Sequence, residues 1–159
     1  LADIVSQAVR NHRTLLIQSQ MKIETGDLDF TVYTDRKWAV FMLGQLLQNA
    51  SRYRNNNSPS ILLTATRCGR QVRLTVSDNG IGIPAHELPR VFDRGFTGSN
   101  GRTRGGSTGM GLYLCRKLAA LLEIDLQISS EEQKGTAVTL TFPARQAAET
   151  LQDCKTNPY

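Results

Sequence analysis

Two rhythms of apolar positions run along the chain and predict a mixture of helices and strands. An apolar residue at every third or fourth position predicts helices over residues 2–17, over residues 35–53 and from Gly111 onward. Alternating or short continuous apolar runs predict strands at residues 21–23, 30–33, 61–65, 72–76, 126–128 and 138–142. Residues 97–107 are polar, rich in glycine and without periodicity, which predicts a mobile loop.

Length and composition indicate a single globular domain. The chain has 159 residues, 40% of them hydrophobic, and no apolar run is long enough to span a bilayer. Residues 1–143 are predicted to form the domain, and the polar residues 144–159 a C-terminal tail. Because the chain begins with Leu1 rather than Met, we expect it to be a fragment of a longer protein.

Charge indicates which class of partner the chain binds, and the cysteines indicate its redox compartment. The formal net charge of +5 indicates an anionic partner, but the basic residues are scattered and are not interleaved with aromatic residues. This pattern disfavours nucleic acid and favours a bound phosphate or an acidic protein. Cys68, Cys115 and Cys154 are far apart, which indicates a reducing compartment and argues against a disulfide framework or a structural zinc site.

The stretch Asp78-Asn79-Gly80-Ile81-Gly82 directly follows a predicted strand. A carboxylate in this place can accept a hydrogen bond from the exocyclic amine of a flat base. Glycines let the backbone approach such a ring without a Cβ in the way. The alternative is a hairpin turn, because Asn-Gly after an alternating run is also typical of one.

One face of the helix predicted over residues 35–53 carries Gln45, Asn49 and Arg52 at helical spacing, after Trp38 and Met42. Either the helix leaves the core at this end and its last turns are solvated, or the polar side chains line a site. The neighbouring stripe of the same helix stays apolar along these same turns, so the helix is expected to remain packed there. This favours polar side chains that line a site.

Gly109-x-Gly111 begins the third predicted helix. Backbone N–H groups and the positive end of the helix dipole attract an anion to such a start. The alternative is a capped helix with a flexible lead-in. Arg102 and Arg104 in the preceding loop favour a lid over bound phosphate.

Taken in chain order, these three stretches and a pair of phenylalanines between them resemble four sequence motifs of sensor histidine kinases. The N box, first glycine box, F box and second glycine box are matched by Gln45-x-x-x-Asn49-x-x-Arg52-Tyr53, Asp78-x-Gly80-x-Gly82, Phe92-x-x-x-Phe96 and Gly105-Gly106-Ser107-Thr108-Gly109-x-Gly111. The family belongs to an ATPase superfamily with gyrase, heat-shock chaperones and mismatch-repair ATPases, and the resemblance covers residues 1–143. It implies an α/β (α+β) sandwich with a Bergerat-type mixed sheet packed on helices, and ATP bound between the helices and a flexible lid.

The resemblance also implies a role for individual residues. Asp78 would bind the adenine amine, and Thr136 would help to hold the base through water. Asn49 would coordinate Mg²⁺, and Arg52, where the family usually has lysine, would contact a phosphate. The other residues implied in ATP binding are Gly80, Gly82, Ile83, Tyr53, Phe96, Thr108, Gly109, Met110, Gly111 and Leu112. Phe92 and Phe96 would anchor the lid, although a pair of core aromatics is the alternative.

Gln45 separates two classes of activity. Hydrolysing relatives carry a glutamate here that activates water, whereas a neutral amide cannot accept a proton at neutral pH. With Gln45, Asn49 and Arg52 as its catalytic side chains, we expect a kinase catalytic domain. The alternatives are an ATP-hydrolysing relative that drives a conformational cycle, and a nucleotide-binding regulatory module without transfer activity.

The resemblance implies partners outside this chain. The acceptor histidine would lie on a helical dimerisation domain, since His12 is expected on a helix surface and His86 in a surface turn. We expect a response regulator, a homodimeric parent protein in the cell membrane with this domain in the cytoplasm, and no nucleic acid. The F box and second glycine box are similar to those of membrane kinases that sense peptide antibiotics in Gram-positive bacteria.

Overall fold

The computed structural model describes residues 1–104 and 108–144, without the side chains of residues 102–104. Its helices are α1 (Ala2–Asn11), α2 (Arg13–Gln18), α3 (Arg36–Arg52), α4 (Gly98–Arg104) and α5 (Gly111–Leu121). Its strands are β1 (Lys22–Thr25), β2 (Ser60–Cys68), β3 (Gln71–Asp78), β4 (Asp125–Glu131) and β5 (Gly135–Phe142), and a short 3₁₀ helix covers Leu88–Arg90. Gly105, Gly106 and Ser107 of the predicted second glycine box lie outside the described residues, as do the side chains of Arg102 and Arg104.

The strands form a mixed sheet in the order β1-β2-β3-β5-β4. β1 runs parallel to β2, and the other neighbours are antiparallel. Alternate residues of the central strands, such as the cross-strand partners Leu74 and Leu140, are buried beneath the helices, whereas Arg73, next to Leu74 on β3, is exposed on the other face. The predicted α/β sandwich is therefore confirmed.

α3 is the central helix of the second layer. The Asp35 carboxylate accepts a hydrogen bond from the backbone N–H of Trp38 at 3.2 Å and so caps the first turn. Met42 and Leu47 are fully buried in the hydrophobic core, and α3 packs against both α1 and α5. Truncating one such side chain typically costs about 2–5 kcal/mol, so packing fixes α3 and its polar face in place.

The prediction of one helix over residues 2–17 is wrong, because the chain bends at His12 between α1 and α2. The His12 ring packs directly against Gly44 of α3, where a Cβ would collide with it. Its Nδ1 donates to the carbonyl of Ala8 at 2.9 Å, which leaves Nε2 to accept from the Gln48 amide at 3.0 Å. His12 is thus half-buried and joins α1 to α3, rather than lying on a helix surface as expected.

The strand predicted at residues 30–33 is also absent from the described sheet. After β1, the Gly26 N–H still donates to the Leu63 carbonyl, and the Ala65 N–H donates to the Asp27 carbonyl. The chain then leaves the edge of β2. Its apolar side chains in this segment pack against the core without strand pairing, so an apolar run alone did not specify a strand.

Residues 98–104 form α4, although the sequence predicted an irregular loop over residues 97–107. The N–H of Ser99 in its first turn donates to Glu87 Oε1 at 2.8 Å, and a carboxylate at a helix N-terminus is stabilising. Residues 98–101 contain no large apolar side chain. The helix therefore depends on a capping group from a distant part of the chain. For this reason the sequence of the helix itself shows no hydrophobic periodicity.

β5 ends at Phe142, one residue before the predicted domain boundary. The division into a domain and a tail stays a prediction, because residues 145–159 lie outside the described part of the chain. Over residues 1–104 and 108–144, none of the helices combines the length and the apolar character needed to cross a membrane.

Candidate functional site

A row of polar side chains crosses the sheet at one end of its buried face. Asp78 of β3, Thr136 of β5 and Ser130 of β4 each continue the apolar, core-facing side of their strand. In the antiparallel register Asp78 pairs with Thr136, and Thr136 pairs with Ser130. Directly opposed side chains lie on the same face, with Cβ atoms about 4.5–5.5 Å apart, so the three form one hydrophilic edge beneath the helices.

The Asp78 carboxylate is oriented by two backbone N–H groups. That of Gly80 donates to Oδ1 at 2.9 Å, and that of Thr136 also donates to the carboxylate. Burial raises the pKa of Asp78 above its usual value, and these two hydrogen bonds lower it without cancelling the effect of burial. The carboxylate is therefore held in one orientation and is partly removed from water.

The turn after β3 is packed too closely for side chains. A Cβ on Gly80 would lie 2.5 Å from the backbone oxygen of Tyr53, which also accepts the N–H of Ile81 at 2.9 Å. Gly82 has a φ of +68°, and a Cβ there would collide with the backbone of Glu131. The two glycines thus join the turn to the end of α3 and to β4. The turn is not a hairpin, because β3 pairs with β2 and β5.

The polar face of α3 looks onto the same end of the sheet. Gln45, Asn49 and Arg52 are half-buried, so the solvated-end alternative does not hold. The Gln45 Oε1 atom lies against Gly111, where a Cβ would be 2.7 Å from it. Of the two apolar residues that precede the polar ones on this face, Met42 is fully buried and Trp38 is 42% exposed.

α5 begins at Gly111 without a side-chain cap. The first N–H groups of a helix have no acceptor within the helix, and here Gly111 and Leu112 line a cavity. Thr108 and Gly109 lead into the helix, and the carbonyl of Gly109 accepts the N–H of Gly95 at 3.1 Å. That bond connects the start of α5 to the segment before α4.

These elements enclose a cavity of ≈ 180 Å³, far larger than a bound water needs. Most of the predicted site residues line it: Gln45, Asn49, Arg52, Tyr53, Asp78, Gly82, Ile83, Phe96, Thr108, Gly109, Gly111, Leu112 and Thr136. Two do not, since Gly80 packs behind the wall on Tyr53 and Met110 is the N-cap residue of α5. Apolar side chains from the sheet also line the cavity: Val76, Ile128 and Val138.

Sequence reasoning missed several lining residues, namely Gln48, Glu87, Thr97, Gly98 and Asn100. Glu87 lies in a segment that is typical of a surface turn, yet it is 9% exposed. Thr97, Gly98 and Asn100 belong to the stretch that was predicted as a loop. Neither segment has a hydrophobic period, so the sequence predicts the lid stretch only as a whole and does not identify these individual residues as part of the cavity lining.

Phe92 and Phe96 are half-buried and lie outside the hydrophobic core. The Arg116 guanidinium lies 5.6 Å from the ring centroid of Phe92, and that of Arg90 lies 4.8 Å from the ring centroid of Phe96. Phe96 also lines the cavity. The two rings therefore belong to the segment between the sheet and α4 and are not a pair of core aromatics.

The two ends of the cavity differ in chemistry. At one end, the Asp78 carboxylate beside apolar side chains suits a flat base that carries an amine. At the other end, amides, the Arg52 guanidinium and the uncapped start of α5 suit phosphate groups. The amide oxygen of Asn49 at this end is a ligand of the type that Mg²⁺ prefers, so the residues present fit a nucleotide with its metal.

A family model and several curated relatives match the chain. The model described as "Histidine kinase-, DNA gyrase B-, and HSP90-like ATPase" matches residues 34–146. The sensor protein BceS of Bacillus subtilis (strain 168) is 44% identical over 114 residues, which cover 72% of this chain and 34% of that protein. The sensor protein kinase GraS of Staphylococcus aureus (strain MRSA252) is 40% identical over 129 residues, covering 79% of this chain and 37% of that protein. The chain thus spans well under half the length of these relatives.

Solved structures share the fold. A mycobacterial sensor histidine kinase, MprB, matches with a TM-score of 0.76 at 19% identity, covering 92% of this chain and 95% of that one. Full-length ShkA in complex with AMPPNP matches with a TM-score of 0.75 at 20% identity, covering 91% of this chain and 30% of that one. At these identities the likeness shows the fold alone.

The resemblance inferred from the four motifs is confirmed by these matches. The family model covers more than half of the chain and includes α3, the turn after β3 and the start of α5. The chain therefore belongs to the histidine kinase-, DNA gyrase B- and HSP90-like ATPase family, as the ATP-binding catalytic domain of a sensor histidine kinase.

Proposed function

We propose that this domain transfers the γ-phosphoryl group of ATP to a histidine on a separate helical dimerisation domain, with Mg²⁺ beside the phosphates. The observation that carries the proposal is the cavity, which is lined both by an amine-accepting carboxylate, Asp78, and by an anion-attracting helix start, at Gly111.

At the base end, Asp78 would accept a hydrogen bond from the adenine amine. Its two backbone donors, Gly80 and Thr136, orient the carboxylate before the ligand arrives. Ile83 and the apolar side chains of the sheet line the same part of the cavity. Since these groups need not reorganise, the pocket is preorganised for one edge of the base.

At the phosphate end, the N–H groups at the start of α5 and the Arg52 guanidinium would bind phosphate oxygens. Asn49 would hold Mg²⁺ through its amide oxygen. Bound Mg²⁺ supplies charge neutralisation at the phosphates. The contribution of the chain itself is to position the γ-phosphoryl group and to exclude other orientations.

Gln45 favours transfer over hydrolysis. It lines the cavity, and its amide oxygen lies against the first residue of α5. A neutral amide can orient a water molecule but cannot take its proton at neutral pH. An acceptor histidine is itself a capable nucleophile and needs no such base, so the absence of a carboxylate at this position favours the kinase.

The partners belong to the proposal as well. The named relatives are sensor proteins more than twice as long as the matched region, which supports a parent protein with further domains. We propose that this parent is a membrane-bound homodimer whose phosphohistidine is passed to a response regulator. His12 packs against α3, and His86 is an exposed turn residue beside Glu87, so neither is proposed as the acceptor.

The proposal is tested by mixing the chain with a helical domain that carries an acceptor histidine. The expected product is an acid-labile, base-stable phosphate on the helical domain and none on His12 or His86. ATP turnover by the chain alone should stay close to the uncatalysed rate. Rapid turnover that disappears in Gln45→Ala would instead support a hydrolase.

Asn49→Ala tests the metal assignment. Because the substitution removes one oxygen ligand, we expect phosphoryl transfer to be lost while metal-free ATP binding changes by less than about twofold. Asn56→Ala is a matched control, since Asn56 is an exposed amide in the loop after α3. Equal transfer rates for Asn49→Ala and the unchanged chain would contradict the role of Asn49.

A further inference from the structure

Ser130 lies behind the base end of the cavity rather than on its surface. It is the last core-facing residue of β4 and pairs with Thr136 across the strands. It is half-buried and does not line the cavity, whereas Thr136 does. Any influence of Ser130 on a bound base must therefore pass through another residue.

The hydrogen bonds of the Ser130 hydroxyl determine where its single hydrogen is. Its oxygen lies 2.7 Å from the carbonyl oxygen of Gly135, which can only accept, so the hydrogen of Ser130 points there. The N–H of Ile83 donates to the same hydroxyl oxygen at 2.9 Å. The third partner, Thr136 Oγ1 at 2.9 Å, must then supply the hydrogen of its own contact.

Thr136 consequently has no hydrogen to offer the cavity. Its hydroxyl hydrogen is directed to Ser130, and its backbone N–H is directed to the Asp78 carboxylate. The ionised carboxylate of Asp78 has no hydrogen either. These two side chains therefore present only hydrogen-bond acceptors to a ligand.

We propose that Ser130 is a positioning residue that sets the base specificity of the pocket by holding the Thr136 hydroxyl as an acceptor. The inference rests on the proposed ATP-binding function and extends it. A wall of acceptors favours a purine with an amine at position 6 and disfavours one with a carbonyl oxygen there. Without Ser130 the Thr136 hydroxyl can turn its hydrogen into the cavity and donate to that oxygen.

The test compares the affinities of the chain for ATP and for inosine triphosphate, which has a carbonyl oxygen at position 6, by calorimetry. We expect the unchanged chain to prefer ATP by about 10- to 100-fold, the range given by one hydrogen bond to a charged group. In Ser130→Ala the preference should shrink by about tenfold. If Ser130 has a merely structural role, its loss should weaken the binding of both nucleotides equally and leave the ratio of their affinities unchanged. That result would overturn the proposal.

Matched variants isolate the pathway. Ser130→Thr retains the hydroxyl and should retain the preference, and Ser129→Ala, on the exposed face of the same strand, should not alter it. In a Thr136→Val background, adding Ser130→Ala should leave the ratio unchanged, because the hydroxyl through which Ser130 acts is gone. A reduced ratio in that background would refute the mechanism.

Two further outcomes are distinguishable. If Ser130→Ala does not fold, Ser130→Cys provides the same comparison, because a thiol is a weaker acceptor for the Thr136 hydrogen. An unchanged ratio of the two affinities in Ser130→Cys would contradict the proposal. If the unchanged chain binds neither nucleotide, the proposed function itself fails.

Discussion

At the scale of single residues, Asp78 meets two opposing demands. The base pocket needs an ionised carboxylate, but burial raises the pKa of this group in the folded chain. The unfolded chain leaves it in water, so folding with an ionised Asp78 carries a cost that is present at neutral pH. This cost is relieved as the pH falls through the folded-state pKa, because the group is then protonated.

We expect Asp78→Asn to remove both the cost and the function. At pH 7 the variant should unfold at a higher denaturant concentration than the unchanged chain, and this advantage should vanish toward pH 3. ATP affinity should fall by tenfold or more, since an amide places an N–H₂ group where a carboxylate accepted, at about 1–3 kcal/mol. Denaturant titrations at several pH values and calorimetry check these outcomes. A destabilised variant at pH 7 would contradict the pKa argument.

Some residues of the site could be identified from the sequence and others could not. Asp78 was identified because it follows a strand whose apolar alternation is regular, whereas Thr136 lies outside the predicted strand and was identified only through the resemblance to the kinase family. Ser130 occupies the same kind of position on β4, but the strand prediction ended at residue 128 and so left it out. Glu87 could not be found, because its burial depends on the placement of α4 and not on any local pattern.

At the scale of elements, α4 is stabilised from outside its own sequence. The Glu87 carboxylate accepts the N–H of Ser99, twelve residues away, and Gly98 packs against the same carboxylate. Since Glu87, Gly98 and Asn100 all line the cavity, a change in the cap alters the part of the wall that α4 contributes. The conformation of this segment is thus linked to the site.

We expect Glu87→Ala to accelerate amide hydrogen exchange over residues 98–101 by about fivefold, the effect of losing a helix cap worth roughly 1 kcal/mol. Glu87→Gln keeps an acceptor and should show a smaller change. His86→Ala serves as a control, because its exposed ring lies 3.9 Å from Glu87 Oε1 but caps nothing. Exchange that is unaffected in Glu87→Ala would show that the cap does not hold the helix.

A bound ATP analogue should slow exchange in the same segment. α4 contributes Gly98 and Asn100 to the cavity wall, so a bound ligand adds contacts that favour the conformation in which this helix is formed. The experiment compares exchange over residues 97–101 with and without the analogue. Complete protection in the free chain would indicate a rigid wall rather than a lid.

Elements with a strong hydrophobic period were predictable, and those fixed by distant contacts were not. α3 was expected over residues 35–53 and is found at Arg36–Arg52 because its apolar stripe and its Asp35 cap agree. The bend at His12 depends on the contact with Gly44, which is 32 residues away in the sequence. Periodicity records which face of an element is buried, but not where a partner interrupts it.

At the scale of the whole molecule, the sheet buries one face beneath its helices. Leu62 and Leu63 are neighbours on β2, yet Leu62 is 43% exposed and Leu63 only 1%. Leu63 belongs to the hydrophobic core that also holds α3 in place. The difference in exposure between these two neighbours therefore shows which face of the sheet the helices cover.

Leu63→Ala should lower the free energy of unfolding by about 2–5 kcal/mol. Leu62→Ala, its matched control, should lower it by less than about 1 kcal/mol because the side chain is already partly in water. Denaturant titration of both variants measures the difference. Equal effects would contradict the one-sided burial of the sheet.

The strand order has a consequence for the synthesis of the chain. Among the strands in the described residues 1–104 and 108–144, β5 is the last to leave the ribosome, yet it lies between β3 and β4. Until it emerges, β4 has no strand to join and β3 keeps an open edge, a state prone to wrong pairing. Thr136 arrives with the same strand, so nascent chains that end before Gly135 should capture no ATP in a binding assay. Nucleotide capture would then mark a finished domain and would stabilise it at the moment when the last strand is inserted.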